Sequence, residues 1–251
     1  MSATPAVVEH SAEKRRSIGN METPESVRRV ERERLYPSLT NPNWLVLRRR
    51  RAIFQKWISH LDGRNLNVLD VGGRIQPYRP LFQGRLGNYV AIDLVRSRTI
   101  DIVGSGEEIP IKSEVFEVVL CSQVLEYVPD PRRLIAEVHR VLKPGGMLML
   151  SVPAIFPIDS EQDTWRFLPQ SLRLLLNSFE KVEIVAEGSS ISGLFRTVCV
   201  WLATFVRPAM FRAFLKLTAV PFLNLTAASL EFLTGSTNEQ FSANFSALSR
   251  K

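Results

Sequence analysis

A glycine pair and an aspartate mark the places where this chain could bind a cofactor. Gly72 and Gly73 follow directly after the apolar run 67–71, and Asp93 closes a second run, twenty-one residues beyond Gly72. Glycine permits unusual backbone angles and removes the Cβ, so a bulky ligand can come close to the chain. An aspartate at this spacing can accept hydrogen bonds from both hydroxyls of an adenosine ribose. The alternative for Asp93 is a carboxylate that only caps the turn after its strand.

The hydrophobic pattern supplies the elements that must position these residues. Helical spacing of apolar residues predicts helices at 43–61, 131–143 and 169–179. Short apolar runs predict strands at 67–71, 89–93, 100–103, 115–120, 147–152, 182–185 and 241–248. Apolar strands that alternate with helices indicate a parallel sheet covered on both faces. We therefore predict an α/β fold: a doubly wound, mostly parallel, seven-stranded Rossmann-like sheet, with an apolar helical insertion before the last strand.

Nicotinamide cofactors and S-adenosyl-L-methionine (SAM) both use a glycine turn and a ribose-binding acid. The turn in this chain lacks the full G-x-G-x-x-G spacing that grips a pyrophosphate. SAM has no phosphate, so the shorter turn favours SAM as the cofactor. A nicotinamide-dependent oxidoreductase is the alternative, and the absence of a Tyr-x-x-x-Lys pair counts against it.

Five sequence blocks in order resemble class I SAM-dependent methyltransferases, specifically the type 11 kind common in bacterial biosynthetic clusters. The resemblance covers roughly residues 64–187. The blocks are VLDVGG at 68–73, AID at 91–93, EEIP at 107–110, VVLCSQVLEYVPDP at 118–131 and LKPGG at 142–146. The resemblance implies a methyltransferase that uses SAM.

The resemblance also implies a set of cofactor-binding residues. The glycine turn would approach the amino acid moiety of SAM, Asp93 would bind the ribose, and Leu94 would lie against the adenine. One loop would flank the adenine edge, and the end of the fourth strand would line the methionine end. The implied residues are Asp70, Gly72, Gly73, Gln76, Asp93, Leu94, Gly106, Glu107, Ser122 and Gln123.

The chain departs from the family pattern in the glycine loop. The family usually carries glycines where Arg74 and Gln76 stand, and it often ends the substrate-facing turn in His where this chain has Tyr127. We expect Gln76, beside Pro77, to supply polar contacts instead. These departures keep open a third function, a non-catalytic scaffold that has lost SAM binding.

Methyl transfer from a sulfonium is an in-line displacement, so the protein mainly holds donor and acceptor in line. No pattern identifies a catalytic base, and no metal site is expected. Three residues are catalytic candidates. Tyr127 would face the acceptor, while Trp165 and Arg166 could stack on a sugar or clamp an anionic group. The alternative for Trp165 and Arg166 is a packing turn below the helix at 169–179.

Amino-acid composition limits which cellular compartment and which binding partners are expected. Two cysteines cannot form a disulfide framework, and residues 1–35 lack the apolar segment of a secretory signal, so we expect a cytoplasmic protein. The net charge of +7 lies mostly in residues 1–60, where four arginines stand at 48–51. This run predicts a solvated helix face, or contact with an anionic membrane surface or substrate. No motif accompanies it that would indicate nucleic acid.

We divide the chain into three parts. Residues 1–35 are expected to be a disordered tail, and residues 36–190 with 237–251 to form the SAM-binding domain. Residues 191–236 form an apolar insertion, which is a substrate lid, a homodimer face or a contact with the inner membrane face. Its uncharged runs are each shorter than the ~18–20 residues of a membrane-spanning helix. The acceptor is a small molecule, and a glycan or lipid-linked precursor would suit the insertion.

Overall fold

The computed structural model describes residues 24–251. A single sheet of seven strands lies at its centre, in the order β3-β2-β1-β4-β5-β7-β6. The strands are β1 (Leu66–Val71), β2 (Leu86–Asp93), β3 (Ile102–Val103), β4 (Phe116–Ser122), β5 (Leu142–Pro153), β6 (Lys181–Ala186) and β7 (Asn244–Arg250). Strands β1 to β5 pair in parallel, whereas β7 runs antiparallel to β5 and β6. The predicted fold class is confirmed, with a sheet that is mixed and mostly parallel.

Helices cover both faces of the sheet. They are α1 (Pro24–Leu35), α2 (Trp44–Ser59), α3 (Pro131–Val141), α4 (Pro169–Leu175), α5 (Ser190–Phe205), α6 (Ala209–Leu217) and α7 (Ala219–Thr234). Successive side chains of a strand point to opposite faces of the sheet, so β1 contributes residues to the hydrophobic core on each face. Leu69 and Val71 join the core that contains Leu134 of α3, and Val68 joins the core that contains Phe54 of α2.

Local chemistry explains where α3 begins. The Asp130 carboxylate accepts hydrogen bonds from the backbone N–H groups of Arg132 (3.0 Å) and Arg133 (3.4 Å). Pro131 takes the first helical position, where no intrahelical donor is needed. The apolar side of α3 then packs on the sheet and fixes the loop that precedes the helix.

The N-terminal prediction is wrong for residues 24–35, which form α1 rather than a disordered tail. The helix is mostly charged and shows little apolar periodicity, so its pattern resembled disorder. Tertiary contacts hold it: Leu35 is buried in the α2 core, and Arg51 donates a 3.2 Å hydrogen bond to the Leu35 carbonyl. The rest of the predicted tail, residues 1–23, lies outside the described residues.

The four arginines at 48–51 do not form one charged face. Arg50 points inward and makes a buried ion pair with Glu187, at 2.9 Å between Nη2 and Oε2. Arg48 lies over the Trp44 ring at 4.2 Å, and Arg51 lies over the Tyr36 ring at 4.8 Å. Successive residues of a helix point in different directions, so the run has no common anionic partner.

The insertion consists of α5, α6 and α7. Helices α6 and α7 follow each other with an interruption at Thr218, and Pro221 lacks the N–H that would bond to the preceding turn. Together they make the segment Ala209–Thr234, which among the described residues is the one helical segment long and apolar enough to cross a membrane by length and composition. The uncharged runs are as short as the sequence indicated, but the helical segment is longer than either of them because it continues through Arg212, Lys216 and Glu231.

Candidate functional site

The strand order reverses between β1 and β4, and the candidate site lies at the carboxyl ends of these strands. Gly72 has a φ of +75°, and a Cβ at this position would lie 2.3 Å from Cγ2 of Val124. A Cβ on Gly73 would lie 2.9 Å from both the Asp70 carboxyl carbon and the Ala91 Cβ. Both glycines are therefore required for the loop after β1 to lie against its neighbours.

Asp93 ends β2 at the same edge of the sheet. Its Oδ1 accepts a 2.8 Å hydrogen bond from the Val95 N–H, so the carboxylate does cap its own turn. Oδ2 has no hydrogen-bond partner within residues 24–251. Leu94 is 73% exposed beside it. The edge thus offers an available carboxylate oxygen next to an apolar surface, which are the two contacts that an adenosine needs.

Gly106 and Glu107 shape the adjacent loop. A Cβ on Gly106 would lie 2.9 Å from Cδ1 of Leu134, so the glycine lets this loop lie on α3. The Glu107 Oε1 atom accepts a 3.0 Å hydrogen bond from the Asp130 N–H. The Glu107 carboxylate therefore braces the start of α3, while its backbone remains at the predicted adenine side.

Ser122 and Gln123 stand where β4 ends. Gln123 has a φ of +58°, a left-handed conformation that costs a non-glycine residue about 1 kcal/mol or more and that is concentrated at functional sites. Its N–H donates to the Ser151 carbonyl at 2.8 Å, and its Nε2 donates to Ser151 Oγ at 3.3 Å. The Gln123 amide thus faces β5, which leaves the half-buried Ser122 at the edge of the site.

Gln76 is buried, and both polar atoms of its side-chain amide form hydrogen bonds within the protein. Nε2 donates to the Thr99 carbonyl at 2.7 Å, and Oε1 accepts from Arg79 at 3.0 Å. Its backbone N–H reaches the Glu31 carboxylate of α1 at 3.3 Å. In this arrangement Gln76 ties the loop after β1 to α1 and to the loop after β2, so its contribution is to fix the loop.

Asp70 lies beneath the glycine turn. The Tyr89 hydroxyl donates a 2.6 Å hydrogen bond to its Oδ2. Burial is the main cause that raises the pKa of Asp70 to about 7. The hydrogen bond from Tyr89 opposes the shift, and the nearby Asp93 charge contributes to it. Asp70 can therefore change its charge near neutral pH directly below the predicted cofactor.

Tyr127 lies in the turn Leu125–Tyr127, on the other side of the site. Its hydroxyl donates to both carboxylate oxygens of Asp159, each at 3.0 Å. Burial raises the pKa of Tyr127, and the Asp159 charge raises it further. Tyr127 is thus held protonated, and it carries its hydrogen toward a carboxylate that the sequence did not indicate.

Glu126 is a second carboxyl group that the sequence analysis missed. Its side chain is 3% exposed, and Oε2 is buried with no hydrogen-bond partner within residues 24–251. Burial raises its pKa to about 7, and the charges of Asp163 and Asp159 add to the shift. The only signal in the sequence was its position beside Tyr127.

Arg34 of α1 stands at the open side of these groups. Burial lowers the pKa of Arg34, whereas the nearby Tyr78, Tyr127 and Glu126 act to raise it. The helix that was expected to be disordered therefore brings a guanidinium within electrostatic range of Tyr127 and Glu126.

Arg166 and Trp165 serve mainly as loop contacts. Arg166 binds Asp163 through two nitrogens, at 2.5 and 2.8 Å, and donates to the Phe156 carbonyl at 3.0 Å. The Trp165 indole N–H donates to the Val128 carbonyl at 3.0 Å, and part of its ring is exposed. The packing alternative accounts for Arg166, while Trp165 can still offer a ring face to a ligand.

No metal site accompanies these groups. Within residues 24–251, no cluster of three or more His, Cys, Asp or Glu side chains could hold a metal ion.

Comparison with known proteins shows which domain part of the chain resembles. Residues 69–150 match the family model described as a methyltransferase domain. A ubiquinone biosynthesis O-methyltransferase from Pseudomonas aeruginosa is 37% identical over 89 residues, which is 36% of this chain and 35% of that protein. A ubiquinone/menaquinone biosynthesis C-methyltransferase from Vibrio parahaemolyticus is 30% identical over 145 residues, which is 48% of this chain and 56% of that protein. The chain thus spans between about a third and just over half of these relatives.

A solved structure supports the fold. The 1,6-didemethyltoxoflavin-N1-methyltransferase of Burkholderia thailandensis, solved with its substrate and S-adenosylhomocysteine, aligns with a TM-score of 0.51 at 15% identity, covering 100% of this chain and 92% of that chain. The fold is that of class I SAM-dependent methyltransferases, and residues 69–150 match the model of a methyltransferase domain.

The residues present fit a SAM cofactor. The edge of β2 combines a hydrogen-bond acceptor, the available Asp93 oxygen, with an apolar contact, the exposed Leu94 side chain. Gly72 and Gly73 keep the loop after β1 free of side chains at the switch point. Burial raises the pKa of Asp70 and Glu126 to about 7, so a cationic cofactor bound nearby would favour the ionised forms of these two carboxyl groups.

Proposed function

We propose that this protein transfers the methyl group of SAM to a small-molecule acceptor. The observation that carries the proposal is the Gly72-Gly73 turn beside the Asp93 carboxylate at the strand-order reversal. A scaffold without cofactor would not need a crowded glycine pair next to an unsatisfied carboxylate oxygen. Neither a nicotinamide cofactor nor loss of SAM binding is favoured by any feature of the described residues.

Bound SAM supplies a methyl group already activated on a sulfonium. The protein then has to hold the acceptor in line with that methyl group and exclude water. Asp93 would hold the ribose, and Leu94 would lie against the adenine. The glycine turn and Ser122 form the methionine end, and Gln123 fixes the loop that joins the two halves of the site.

Tyr127 and Asp159 can take the proton of an acceptor hydroxyl. Since its pKa is raised, Tyr127 does not start as a phenolate. When the acceptor hydroxyl donates to the Tyr127 oxygen, Tyr127 passes its own hydrogen to Asp159, 3.0 Å away. With SAM bound, the acceptor oxygen would exchange its proton for the methyl group. The methyl–sulfur bond would break, S-adenosylhomocysteine would leave, and the proton would end on Asp159.

The acceptor is an aromatic or lipid-linked small molecule that carries a hydroxyl group. Two relatives are named for methylation in ubiquinone or menaquinone biosynthesis, and they support this class over a glycan. The exposed part of the Trp165 ring offers a surface on which an aromatic acceptor can stack. Methylation then takes place in the cytoplasm, on the domain formed by residues 36–190 and 237–251.

Calorimetry with SAM and with NAD tests the proposal. We expect saturable SAM binding and no NAD binding. Asp93→Asn keeps an acceptor for the Val95 N–H but removes the charge, and should weaken SAM binding by about 1–3 kcal/mol. Asp93→Ala should weaken it at least as much, and Asp62→Asn, exposed and remote, should leave it unchanged. NAD binding would establish the oxidoreductase, and binding of neither ligand would establish the scaffold.

A second assay addresses the acceptor. Lysate is separated into lipid and soluble pools, and each is incubated with the protein and SAM labelled in the methyl group. We expect label to enter the lipid pool and to depend on Tyr127. Label confined to the soluble pool would overturn the lipid-linked acceptor and leave the methyltransferase proposal standing.

A further inference from the structure

Helix α6 has no buried residue, although seven of its nine residues are apolar. Met210, Phe211, Phe214 and Leu217 recur at positions i, i+1, i+4 and i+7, so they form one stripe along the helix. All four are exposed, and Met210 is 89% exposed. A helix of this kind buries its apolar stripe against another element, and within residues 24–251 nothing covers this one.

The stripe continues on the neighbouring helices. Exposed Trp201 and Phe205 of α5 lie one turn apart, and exposed Phe222 and Phe232 lie on α7. Phe232 is 87% exposed. The three helices pack against one another through their other sides, where Cys199 and Ala227 are buried. The exposed apolar side chains of α5, α6 and α7 are here together termed the apolar surface.

The charges on this surface have one sign. The side chains of Arg207, Arg212 and Lys216 have no hydrogen bond or ion pair within residues 24–251. The one acidic residue of the insertion, Glu231, is turned inward, where it accepts from the Ser189 N–H at 3.0 Å. Unpaired cations beside exposed aromatic side chains complement the phosphate groups and acyl chains of an anionic bilayer.

We infer that the apolar surface docks this protein in the interface of an anionic lipid bilayer. The helices lie on the membrane and do not cross it, because α7 is tied to the folded domain. Asn224 of α7 is fully buried and donates to the carbonyls of Leu39 (2.8 Å) and Asn41 (3.1 Å). Ala227 packs on Trp44 and Leu45 of α2.

The docked surface is joined to the acceptor side of the site. Arg196 of α5 is buried; it donates to the Ile155 carbonyl at 2.7 Å and lies 4.6 Å from the centre of the Phe156 ring. The Phe156 carbonyl in turn accepts from Arg166. The same loop carries Asp159, the partner of Tyr127. A lipid-linked acceptor would thus reach the site from the membrane side, a consequence that rests on the proposed function, whereas docking itself does not.

Sedimentation with vesicles tests the docking. Full-length protein is mixed at low salt with vesicles of neutral phosphatidylcholine, alone or with an equal share of phosphatidylglycerol. We expect the protein to pellet with the anionic vesicles and to be released by high salt. Protein that stays in the supernatant with anionic vesicles overturns the proposal. Protein that resists both high salt and alkaline carbonate spans the membrane, which also overturns it.

Matched variants distinguish binding through the apolar surface from non-specific binding to vesicles. Arg212→Gln with Lys216→Gln should reduce partitioning about tenfold or more, since each cation near the membrane contributes on the order of 1 kcal/mol. Phe211→Ser with Phe214→Ser should abolish pelleting. The control is Arg173→Gln with Leu174→Ser, which makes the same kinds of change on exposed residues of α4. Equal losses in the control would overturn the assignment.

Circular dichroism serves as the control that each variant is folded. SAM calorimetry on the same variants tests the proposed function separately from membrane docking. Light scattering of the free protein tests whether a second copy covers the apolar surface. A dimer that is disrupted by the Phe211 and Phe214 changes, together with no vesicle binding, would overturn membrane docking in favour of a homodimer.

Discussion

The hydroxyl of Tyr89 donates a 2.6 Å hydrogen bond to Oδ2 of Asp70, directly below the glycine turn. Burial raises the pKa of Asp70 to about 7 from an ordinary 3.8. Between these values the unfolded chain has lost this proton while the native protein keeps it. The free energy of unfolding should therefore fall as pH rises from about 4 to 7, by about 1.4 kcal/mol per pH unit for this group.

Asp70→Asn tests this dependence. Asparagine keeps an acceptor for Tyr89 but cannot ionise, so the melting temperature should change less steeply between pH 4 and 7 than in the unmodified protein. Glu126, whose pKa is also raised to about 7, should maintain part of the slope. Denaturant unfolding measured across this range is the readout, and parallel curves for the two proteins would contradict the assigned pKa.

Gly72→Ala should destabilise the protein and weaken SAM binding. The new Cβ adds strain at a φ of +75° and lies 2.3 Å from Val124, which together should cost about 2–4 kcal/mol. Gly84→Ala is the control: its φ is +81° with nothing within 4 Å of the new Cβ, so about 1 kcal/mol is expected from the backbone alone. Equal losses at the two positions would show that the contact with Val124 is not limiting.

Glu187→Gln should cost about 3–5 kcal/mol of stability, because it leaves the buried Arg50 cation without a charge partner. Glu187 Oε1 also accepts hydrogen bonds from Ser151 (2.6 Å) and Ser246 (2.5 Å). Glu183→Gln, at an exposed position of the preceding strand β6, is the matched control and should change stability by less than about 0.5 kcal/mol. Urea unfolding of both variants measures the difference. A small loss at Glu187 would mean that the interior adapts to an unpaired arginine.

Tyr127→Phe and Asp159→Asn should each lower kcat by about 10²–10⁴-fold, the range of a lost acid–base group, with SAM affinity unchanged. If Asp159 accepts the proton, the two losses should not add in the double variant. Steady-state rates with a hydroxyl acceptor, with calorimetry for SAM, provide the measurement. Additive losses, or weaker SAM binding in either variant, would argue that the pair only supports the loop.

The sheet could be predicted because its signals are local. Residues 67–71 and 147–152 are apolar runs bounded by glycine, and these lie within β1 and β5 of the structure. The antiparallel direction of β7 could not be read in the same way, since strand direction depends on pairing with β5 and β6 rather than on the residues of β7.

The edge of the site was predictable and its interior was not. Gly72, Gly73 and Asp93 could be found because their types and spacing have few uses. Gln76 and Arg166 proved to have their polar atoms engaged by protein groups distant in sequence. Asp159 and Glu126 were missed because only tertiary contacts give them their partners and their burial.

One helix terminus shows the same limit. Asn43 precedes α2, a favourable position for a side-chain cap. Its side chain makes no cap hydrogen bond, and its Oδ1 accepts instead from Arg196 Nε at 2.9 Å. The Asn43 oxygen, which local sequence rules predict to cap the helix, therefore accepts a hydrogen bond from a buried arginine of the insertion, far along the chain.

The insertion leaves and re-enters the sheet at neighbouring points. Ala186 pairs with Phe245 in adjacent strands, and the Glu187 N–H donates to the Asn244 carbonyl at 2.9 Å. Since both ends of the segment are already held together, its length can change in evolution at little entropic cost to the rest. Acceptor preference and cellular address can therefore diversify in that segment while the half that holds the cofactor stays constant.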